Sequence, residues 1–181
     1  MADSYQIKDQ GGTYFITCQV IGWVDVFSRQ TYRDIIISSL KYCMAEKNLI
    51  VYAYVIMTNH VHLILRSKSE RLSDTVRDFK RFTSNQILKS IDENHSESRK
   101  DWMNIVFEYH ARFNKRVKDK QFWTHENHAV ELNNNEVMDS KLNYIHENPV
   151  RAGWVERAED YLYSSARNYA GLYNLLEIEM I

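Results

Sequence analysis

The sequence predicts an α+β protein with a mostly antiparallel sheet and helices packed on one face of it. Short stretches rich in β-branched and aromatic residues alternate with longer stretches whose apolar residues recur every three or four positions. Two of the short stretches, "LIVYAYVIM" and "HVHLILR", are separated by "TN", and Asn tolerates the left-handed backbone of a tight turn. Of the 181 residues 44% are hydrophobic, so a single domain over residues 1–181 can bury a substantial core.

The first half of the chain contains three predicted strands and one helix. The strands are 13–24, 49–57 and 60–66, and the last two form the hairpin. A helix is expected over 31–47, since its apolar residues fall on one stripe, and Thr31 is its predicted N-cap.

The second half continues the alternation. A helix is expected from about 74 to 91 with Ser73 as its N-cap, and "WMNIVFEYHARF" also has helical spacing. "QFWTHENHAVEL" has short strand character, and a final helix follows at "KLNYIHEN". The order strand, helix, strand, strand, helix, strand, helix fits the split βαβ, or ferredoxin-like, motif best.

Composition narrows the class of protein. The polar N-terminus is no signal peptide and no apolar run is long enough to cross a membrane, so a cytoplasmic protein without a membrane segment is expected. Cys18 and Cys43 lie far apart in apolar contexts, which predicts reduced core residues and no disulfide framework. The net charge of -1 argues against a nucleic-acid binder, but "RSKSERLSDTVRDFKRF" and "ARFNKRVKDK" concentrate Lys and Arg locally.

Two histidines interrupt the apolar third strand. Side chains alternate in a strand, so His60, His62 and Ile64 share one face, and the two histidine Cα atoms lie about 7 Å apart. Both rings can therefore converge on one metal ion, although two imidazoles alone are an incomplete site. Packing within the core is the alternative for such a pair, and Ile64 argues against a histidine-triad hydrolase.

The final helix carries an aromatic residue away from its core face. Asp139 or Ser140 is its predicted cap, and Pro149 is expected to end it. Tyr144 lies about 130° around the helix from the centre of the apolar stripe. That stripe consists of Met138, Leu142 and Ile145.

Tyr144 shares its face with two polar residues, Lys141 and Asn148. One interpretation is that the phenol packs against another element, as tyrosines often do. The other is that the phenol attacks phosphorus, which gives a covalent phosphotyrosine and divides one difficult step into two. A metal-polarised phosphate or a neighbouring cation must then help, because the free phenol ionises near pH 10.

Two motifs together carry a family resemblance. "TNHVHLIL" and "YIHENPVRAGWVERAEDYLYSSARNYAG" resemble the single-tyrosine HUH transposases, most of all the REP-associated tyrosine transposases and the transposases of the smallest insertion sequences. "FKRFTSNQI" and "FWTHENHAVEL" also resemble segments of this family. The resemblance extends from "TYFITCQV" to about Gly171, which is nearly the whole chain.

The resemblance implies a ferredoxin-like fold, a chemistry and a substrate. His60 and His62 match the pair that holds a divalent metal, Mg²⁺ or Mn²⁺, and Asn148 matches the polar residue that completes the metal site. Tyr144 matches the nucleophile, which cleaves single-stranded DNA to a 5′-phosphotyrosine and a free 3′-OH before the strand is rejoined to another end. The DNA often lies beside a short hairpin. A homodimer is expected, although the family also includes monomers.

Basic and aromatic residues are the candidate DNA contacts. Phe122, Trp123 and Tyr109 can stack on bases, but buried packing is expected for at least two of them. His146 is expected to pack or to support the site. The cations are expected to bind DNA phosphates, with a solvated helix face as the alternative: Arg77, Lys80, Arg81, Arg112, Lys115, Arg116 and Arg151.

The sequence is also compatible with other functions. One is a domesticated nuclease that processes repeated hairpins in its own genome. Another is a non-catalytic, ferredoxin-like nucleic-acid-binding module, against which the intact His60, His62 and Tyr144 argue. A metallophosphohydrolase of small nucleotides would not need Tyr144. The last stretch, 170–181, is expected to add a strand or to cover a sheet edge.

Overall fold

The computed structural model describes residues 6–181, and its centre is a four-stranded antiparallel sheet. The strands are β1 (Tyr14–Gln19), β2 (Leu49–Ile56), β3 (His60–Ser67) and β4 (Val130–Glu131). Their order across the sheet is β2-β3-β1-β4. This is the order of a split βαβ fold, so the ferredoxin-like prediction is confirmed.

Five α-helices surround the sheet within residues 6–181. They are α1 (Gln30–Glu46), α2 (Leu72–Glu93), α3 (Lys100–Ala111), α4 (Asn135–Arg151) and the short α5 (Ala166–Tyr169). No helix among the described residues has the length and apolar character needed to span a membrane.

The helices pack on both faces of the sheet, and the prediction of a single covered face is wrong. On one face, α1 and α2 bury Val61, Leu63 and Leu65 of β3. On the other face, α4 packs through Ile145 against Phe15, Ile64 and neighbouring apolar residues. A sequence cannot reveal this directly, because an amphipathic helix shows that it has a core face but not which side of the sheet it covers.

The helix starts differ from the predicted caps. The N-caps are Arg29 for α1, Arg71 for α2 and Asn134 for α4, and only Asn134 accepts a hydrogen bond through its side chain, from the Val137 amide. The predicted caps lie inside the helices: Thr31, Ser73, Asp139 and Ser140. For α2 the reason is a tertiary contact, because the Gln10 side-chain oxygen accepts a hydrogen bond from the Ser73 amide at 2.9 Å.

Helix α4 also continues past Pro149, contrary to the prediction. A proline there removes only the hydrogen bond to the Ile145 carbonyl, close to the end of the helix. The true end is a Schellman motif two residues later: Gly153 has φ +73°, and the Trp154 amide donates to the Pro149 carbonyl at 3.0 Å.

Two segments of the C-terminal part of the chain cover the outer edge of β2, and the second of them lies in 170–181, as expected. The Ser165 amide donates to the Tyr54 carbonyl at 2.9 Å, and the Glu179 amide donates to the Val51 carbonyl at 3.1 Å. These bonds pair backbone groups that an edge strand otherwise leaves open. Cys18 and Cys43 are buried free thiols, as predicted.

Candidate active site

The two histidines lie at the start of β3 with their rings side by side. His60 pairs with Gln19 and His62 with Thr17 across the ladder to β1. The ring centroids are 4.6 Å apart, and His62 is only 5% exposed. The structure therefore brings together the pair that the strand alternation predicted.

Each ring is oriented by a hydrogen bond at Nδ1. His62 Nδ1 lies 2.8 Å from Thr17 Oγ1, and His60 Nδ1 lies 2.7 Å from Asn59 Oδ1. Asn59 Oδ1 can only accept, so it holds the His60 proton on Nδ1 and leaves Nε2 for a ligand. The Thr17 hydroxyl can donate or accept, and it orients the His62 ring. Sequence reasoning missed both partners. Asn59 was detectable as the neighbour of His60, but Thr17 becomes a partner only through strand register.

The Nε2 atom of His62 is buried and has no hydrogen-bond partner. An unpaired buried polar atom costs about 1–3 kcal/mol. A metal ion bound at Nε2 removes that cost, so the geometry fits a ligating role.

Burial keeps both rings neutral. It lowers the pKa of His60 to about 4. The pKa of His62 falls to about 3, first through burial and then through the charges of His60, Lys141 and Arg151. Both imidazoles therefore carry free lone pairs at neutral pH, which is the form that binds a metal.

Helix α4 brings Tyr144 to the histidines within one chain. The ring centroids of Tyr144 and His62 are 5.2 Å apart. Phe15 of β1 touches both, with centroids 5.3 Å from His62 and 5.9 Å from Tyr144. Tyr144 remains 39% exposed, so its ring is held between side chains while a large substrate can still reach it.

Two cations flank the Tyr144 ring. Lys141 Nζ lies 5.7 Å from its centroid, and Arg151 Cζ lies 4.7 Å from it. Arg151 also donates to the Tyr144 carbonyl at 2.8 Å. The local charge is therefore positive where an anionic phosphate would meet the phenol.

Asn148 lies one helical turn after Tyr144 and donates through Nδ2 to the Tyr144 carbonyl at 3.2 Å. Within residues 6–181, no three His, Cys, Asp or Glu side chains group in a way that could hold a metal. A metal here would thus have two imidazoles and, at most, an amide oxygen from the chain. This set leaves positions for substrate oxygens, which hard divalent cations prefer.

Most of the predicted DNA-contacting cations lie away from the histidines. Arg77, Lys80, Arg81 and Arg116 line a groove of about 1040 Å³ between α2 and the segment 114–127. Arg112 and Lys115 are exposed at the end of α3 and just beyond it. Only Arg151 reaches the tyrosine.

The cations of the groove differ in whether protein groups already bind them. Lys80 Nζ donates to the Thr124 carbonyl at 2.9 Å and to Asn127 Oδ1 at 2.6 Å, and burial lowers its pKa. Lys80 thereby joins α2 to the far wall of the groove. Arg81 is largely exposed, with its nearest carboxylate, Asp78, 4.0 Å away.

The remaining candidates separate by burial. Phe122 and Trp123 are buried in the core, whereas Tyr109 is exposed, so packing explains two of the three as predicted. His146 packs away from the site, with Nε2 2.9 Å from Ser165 Oγ and its ring 5.1 Å from Tyr169.

Comparison with known proteins agrees with this architecture. No curated protein matches the chain. The chain is similar to the solved structure of a REP-associated tyrosine transposase bound to a REP hairpin, with a TM-score of 0.61 and 20% identity. That likeness covers 100% of this chain and 94% of the other and supports the shared fold.

The family model described as "Transposase IS200 like" matches residues 16–107. The matched range includes His60, His62 and Thr17 and ends before Tyr144. It covers half of the chain, and the chain therefore belongs to the IS200-like transposase family.

Proposed function

We propose that this transposase cuts and rejoins single-stranded DNA with Tyr144 as the nucleophile. The observation that carries the proposal is the meeting of Tyr144 with the histidine pair, with 5.2 Å between the Tyr144 and His62 rings. A phenol beside two neutral imidazoles and two cations is suited to attack a phosphodiester. Hydrolysis by water would leave this phenol without a role.

The reaction conserves the number of phosphoester bonds. Tyr144 Oη attacks phosphorus, the 3′-oxygen of the preceding nucleotide leaves, and the proton lost by the phenol appears on that 3′-OH. The product is a 5′-phosphotyrosine ester, which a different 3′-OH attacks to rejoin the strand and release Tyr144. The ester retains the energy of the phosphodiester, so no nucleotide cofactor is consumed.

His60 and His62 would hold a divalent cation, Mg²⁺ or Mn²⁺, with Asn148 as the third protein ligand. When bound, the cation would offset the charge that develops on the phosphate. Thr17 and Asn59 keep the two rings oriented. Lys141 would attract the phosphate. Arg151 fixes the position of the nucleophile by donating to the Tyr144 carbonyl.

A single chain carries the whole proposed set, because α4 of the same chain supplies Tyr144. The site geometry supports a transposase that does not need a second copy to complete its catalytic residues. The homodimer expected from the sequence is compatible with this arrangement, provided that each copy uses its own α4.

The substrate we propose is a DNA strand beside a short hairpin. The similar structure is of a transposase bound to such a hairpin. The cations at the groove and beyond α3, Arg81, Arg112 and Lys115 among them, suit the phosphates of the flanking DNA. Work on cellular DNA also suits the cytoplasm, where free Cys18 and Cys43 stay reduced.

A covalent trapping assay tests the proposal. Hairpin DNA from beside the gene, labelled at its 3′ end, is incubated with protein and Mg²⁺ or Mn²⁺ and resolved on a denaturing gel. We expect a protein-linked label that is lost in Tyr144→Phe and His62→Ala and retained in Tyr42→Phe, an exposed tyrosine on α1. Cleavage that survives Tyr144→Phe would indicate a water nucleophile. DNA binding without cleavage by the wild type would indicate a binding module.

A further inference from the structure

A large aromatic side chain stands beside the histidine pair and has no part in the proposed chemistry. Trp23 is 62% exposed, although Val20 and Val24 on either side of it are buried. It lies in a short 3₁₀ turn, Ile21–Trp23, that follows β1. Its position is fixed on both sides while its indole faces solvent.

The backbone of this turn adopts an unusual conformation. Gly22 has φ +63° and Trp23 has φ +57°, a region that bulky side chains rarely occupy. A Cβ at Gly22 would lie 2.8 Å from Val106 Cγ1, so the turn packs tightly against α3. Strained backbone of this kind persists only where the surroundings hold it, and it concentrates at functional sites.

The turn is connected to the catalytic histidine through Asn59. The Asn59 side chain donates to the Trp23 carbonyl at 3.4 Å through Nδ2, and its Oδ1 lies 2.7 Å from His60 Nδ1. The Asn59 carbonyl accepts from the Val20 amide at 2.9 Å. The indole itself stands edge-on to the His60 ring, with 6.5 Å between centroids.

We propose that Trp23 is a stacking platform for a nucleobase next to the scissile phosphate. This inference rests on the proposed function, since it takes the histidine pair as the place where the phosphate binds. Every nucleobase offers an aromatic face, so stacking holds a single strand without requiring a particular base. A platform tied to His60 through Asn59 places that base relative to the reacting phosphate.

The test combines changes in the protein with changes in the DNA and measures binding. All protein variants also carry Tyr144→Phe, so that the DNA stays uncut. Dissociation constants are measured by fluorescence anisotropy for an intact strand and for a series of strands with one abasic site each. On intact DNA we expect Trp23→Ala to bind about tenfold to a hundredfold more weakly and Trp23→Tyr to bind nearly as well as its parent. Tyr42→Ala removes an equally exposed aromatic from α1 and should change nothing.

The abasic strands decide whether the lost contact is a base. Removing the one base next to the cut site should weaken DNA binding by the parent protein. On that strand alone, Trp23→Ala should cause no further loss of affinity. An equal loss on every abasic strand, or no loss on intact DNA, would overturn the inference. So would a change of oligomeric state with unchanged DNA affinity, which would make Trp23 a contact between copies.

Melting temperatures verify that the variants fold. Should Trp23→Ala not fold, the two aromatic replacements Trp23→Tyr and Trp23→Phe are compared with the nonaromatic Trp23→Leu. The aromatic replacements are expected to retain DNA binding, and Trp23→Leu is expected to lose it. The result is separate from the chemistry: a protein that stacks a base but forms no adduct contradicts the proposed function and leaves the stacking site intact.

Discussion

The two faces of β3 are put to opposite uses. On one face, Val61, Leu63 and Leu65 are buried beneath α1 and α2 and belong to the larger hydrophobic cluster of the core. On the other face, His60 and His62 occupy alternate positions of the same strand, and α4 adds Tyr144 beside them.

Buried polar groups occur both on the closed face, the side of β3 beneath α1 and α2, and on the open face, the side that carries the histidines. The closed face also has an unpaired one, the Tyr54 hydroxyl. Near the closed face, the buried carboxylate of Glu97 contacts Arg29, Arg99 and Tyr32. On the open face, His62 Nε2 is buried with no partner at all. The faces therefore differ in the kind of atom left unpaired. In the closed core it is a phenol oxygen, whereas on the open face it is the imidazole nitrogen that we propose binds the metal, and leaving it unpaired costs stability.

Substitutions at two neighbouring positions of β3 should give the largest contrast, one affecting cleavage and the other stability. We expect His62→Ala to reduce DNA cleavage on the order of a thousandfold, because a metal ion in this role contributes several kcal/mol. Its free energy of unfolding should fall less than that of Leu63→Ala, because removal of the unpaired nitrogen offsets part of the cost of losing the ring contacts. Leu63→Ala should instead lower the free energy of unfolding by about 3 kcal/mol and leave the cleavage rate of the folded protein nearly unchanged.

Urea denaturation and single-turnover cleavage give both quantities for each variant. If His62→Ala unfolded the protein as much as Leu63→Ala, the distinction between the faces would be lost.

The paired carboxylate of Glu97 should give a pH-dependent effect. Burial alone would raise its pKa, but hydrogen bonds from Arg29 and the Arg99 backbone hold that pKa below the usual 4.5. Glu97→Gln should therefore cost roughly 2 kcal/mol of stability at neutral pH. Because the folded pKa lies below the unfolded one, the difference from wild type should be complete above about pH 5 and shrink as the pH falls further.

Thermal unfolding across pH measures this difference. Glu93→Gln is the matched control, because its pair with Lys89 is fully at the surface and should contribute little at any pH. A constant difference from pH 7 to pH 3 would mean that the charge of Glu97 does not stabilise the fold.

Removing the group that orients His62 should have a smaller effect on the open face. Thr17→Val deletes the hydroxyl at His62 Nδ1 while keeping the shape of the side chain. Metal affinity and cleavage should fall about tenfold to a hundredfold with little change in stability. Thr17→Ser restores the hydroxyl and should restore activity, and isothermal titration with Mn²⁺ measures the affinity directly. Equal behaviour of the two variants would exclude the orienting role.

The smallest effect concerns two cations that the sequence treats alike. Arg151 contacts the Tyr144 ring and carbonyl. Such contacts contribute about 1 kcal/mol, so Arg151→Gln should slow cleavage about fivefold. Its DNA affinity should keep the same salt dependence. Arg81→Gln should leave cleavage at saturating DNA unchanged and reduce the slope of log affinity against log salt by about 1. A lower slope in Arg151→Gln would make it a phosphate contact instead.

The sequence is enough to predict that the main residues of the proposed site lie together, but not which residues orient them. Period-two alternation on β3 was enough to place His60 and His62 together, and helical period placed Tyr144 off its core stripe. Thr17 is 45 positions from His62, and only the register of β1 on β3 brings them into contact. Trp23 escaped notice because 13–24 reads as one continuous strand, whereas β1 ends at Gln19.

The helix ends show the same limit. Local rules named Ser73 as a cap, but Gln10, distant in sequence, bonds its amide instead. Pro149 is predicted to stop α4, yet the lost hydrogen bond is offset by burial of the ring and by the Schellman end at Gly153. At Ser73 a contact between distant segments outweighs a local preference. At Pro149 the position of the proline near the helix end decides.

The most direct test of the account is whether the two halves of the site act within one chain. Tyr144→Phe, which keeps the histidines, is mixed with His62→Ala, which keeps the tyrosine, and adduct formation with labelled DNA is measured at increasing concentrations of both. Because α4 places Tyr144 against His62 of its own chain, we expect the mixture to form no more adduct than either variant alone. Recovery of adduct in the mixture would show that α4 serves the site of a second copy and would contradict the account.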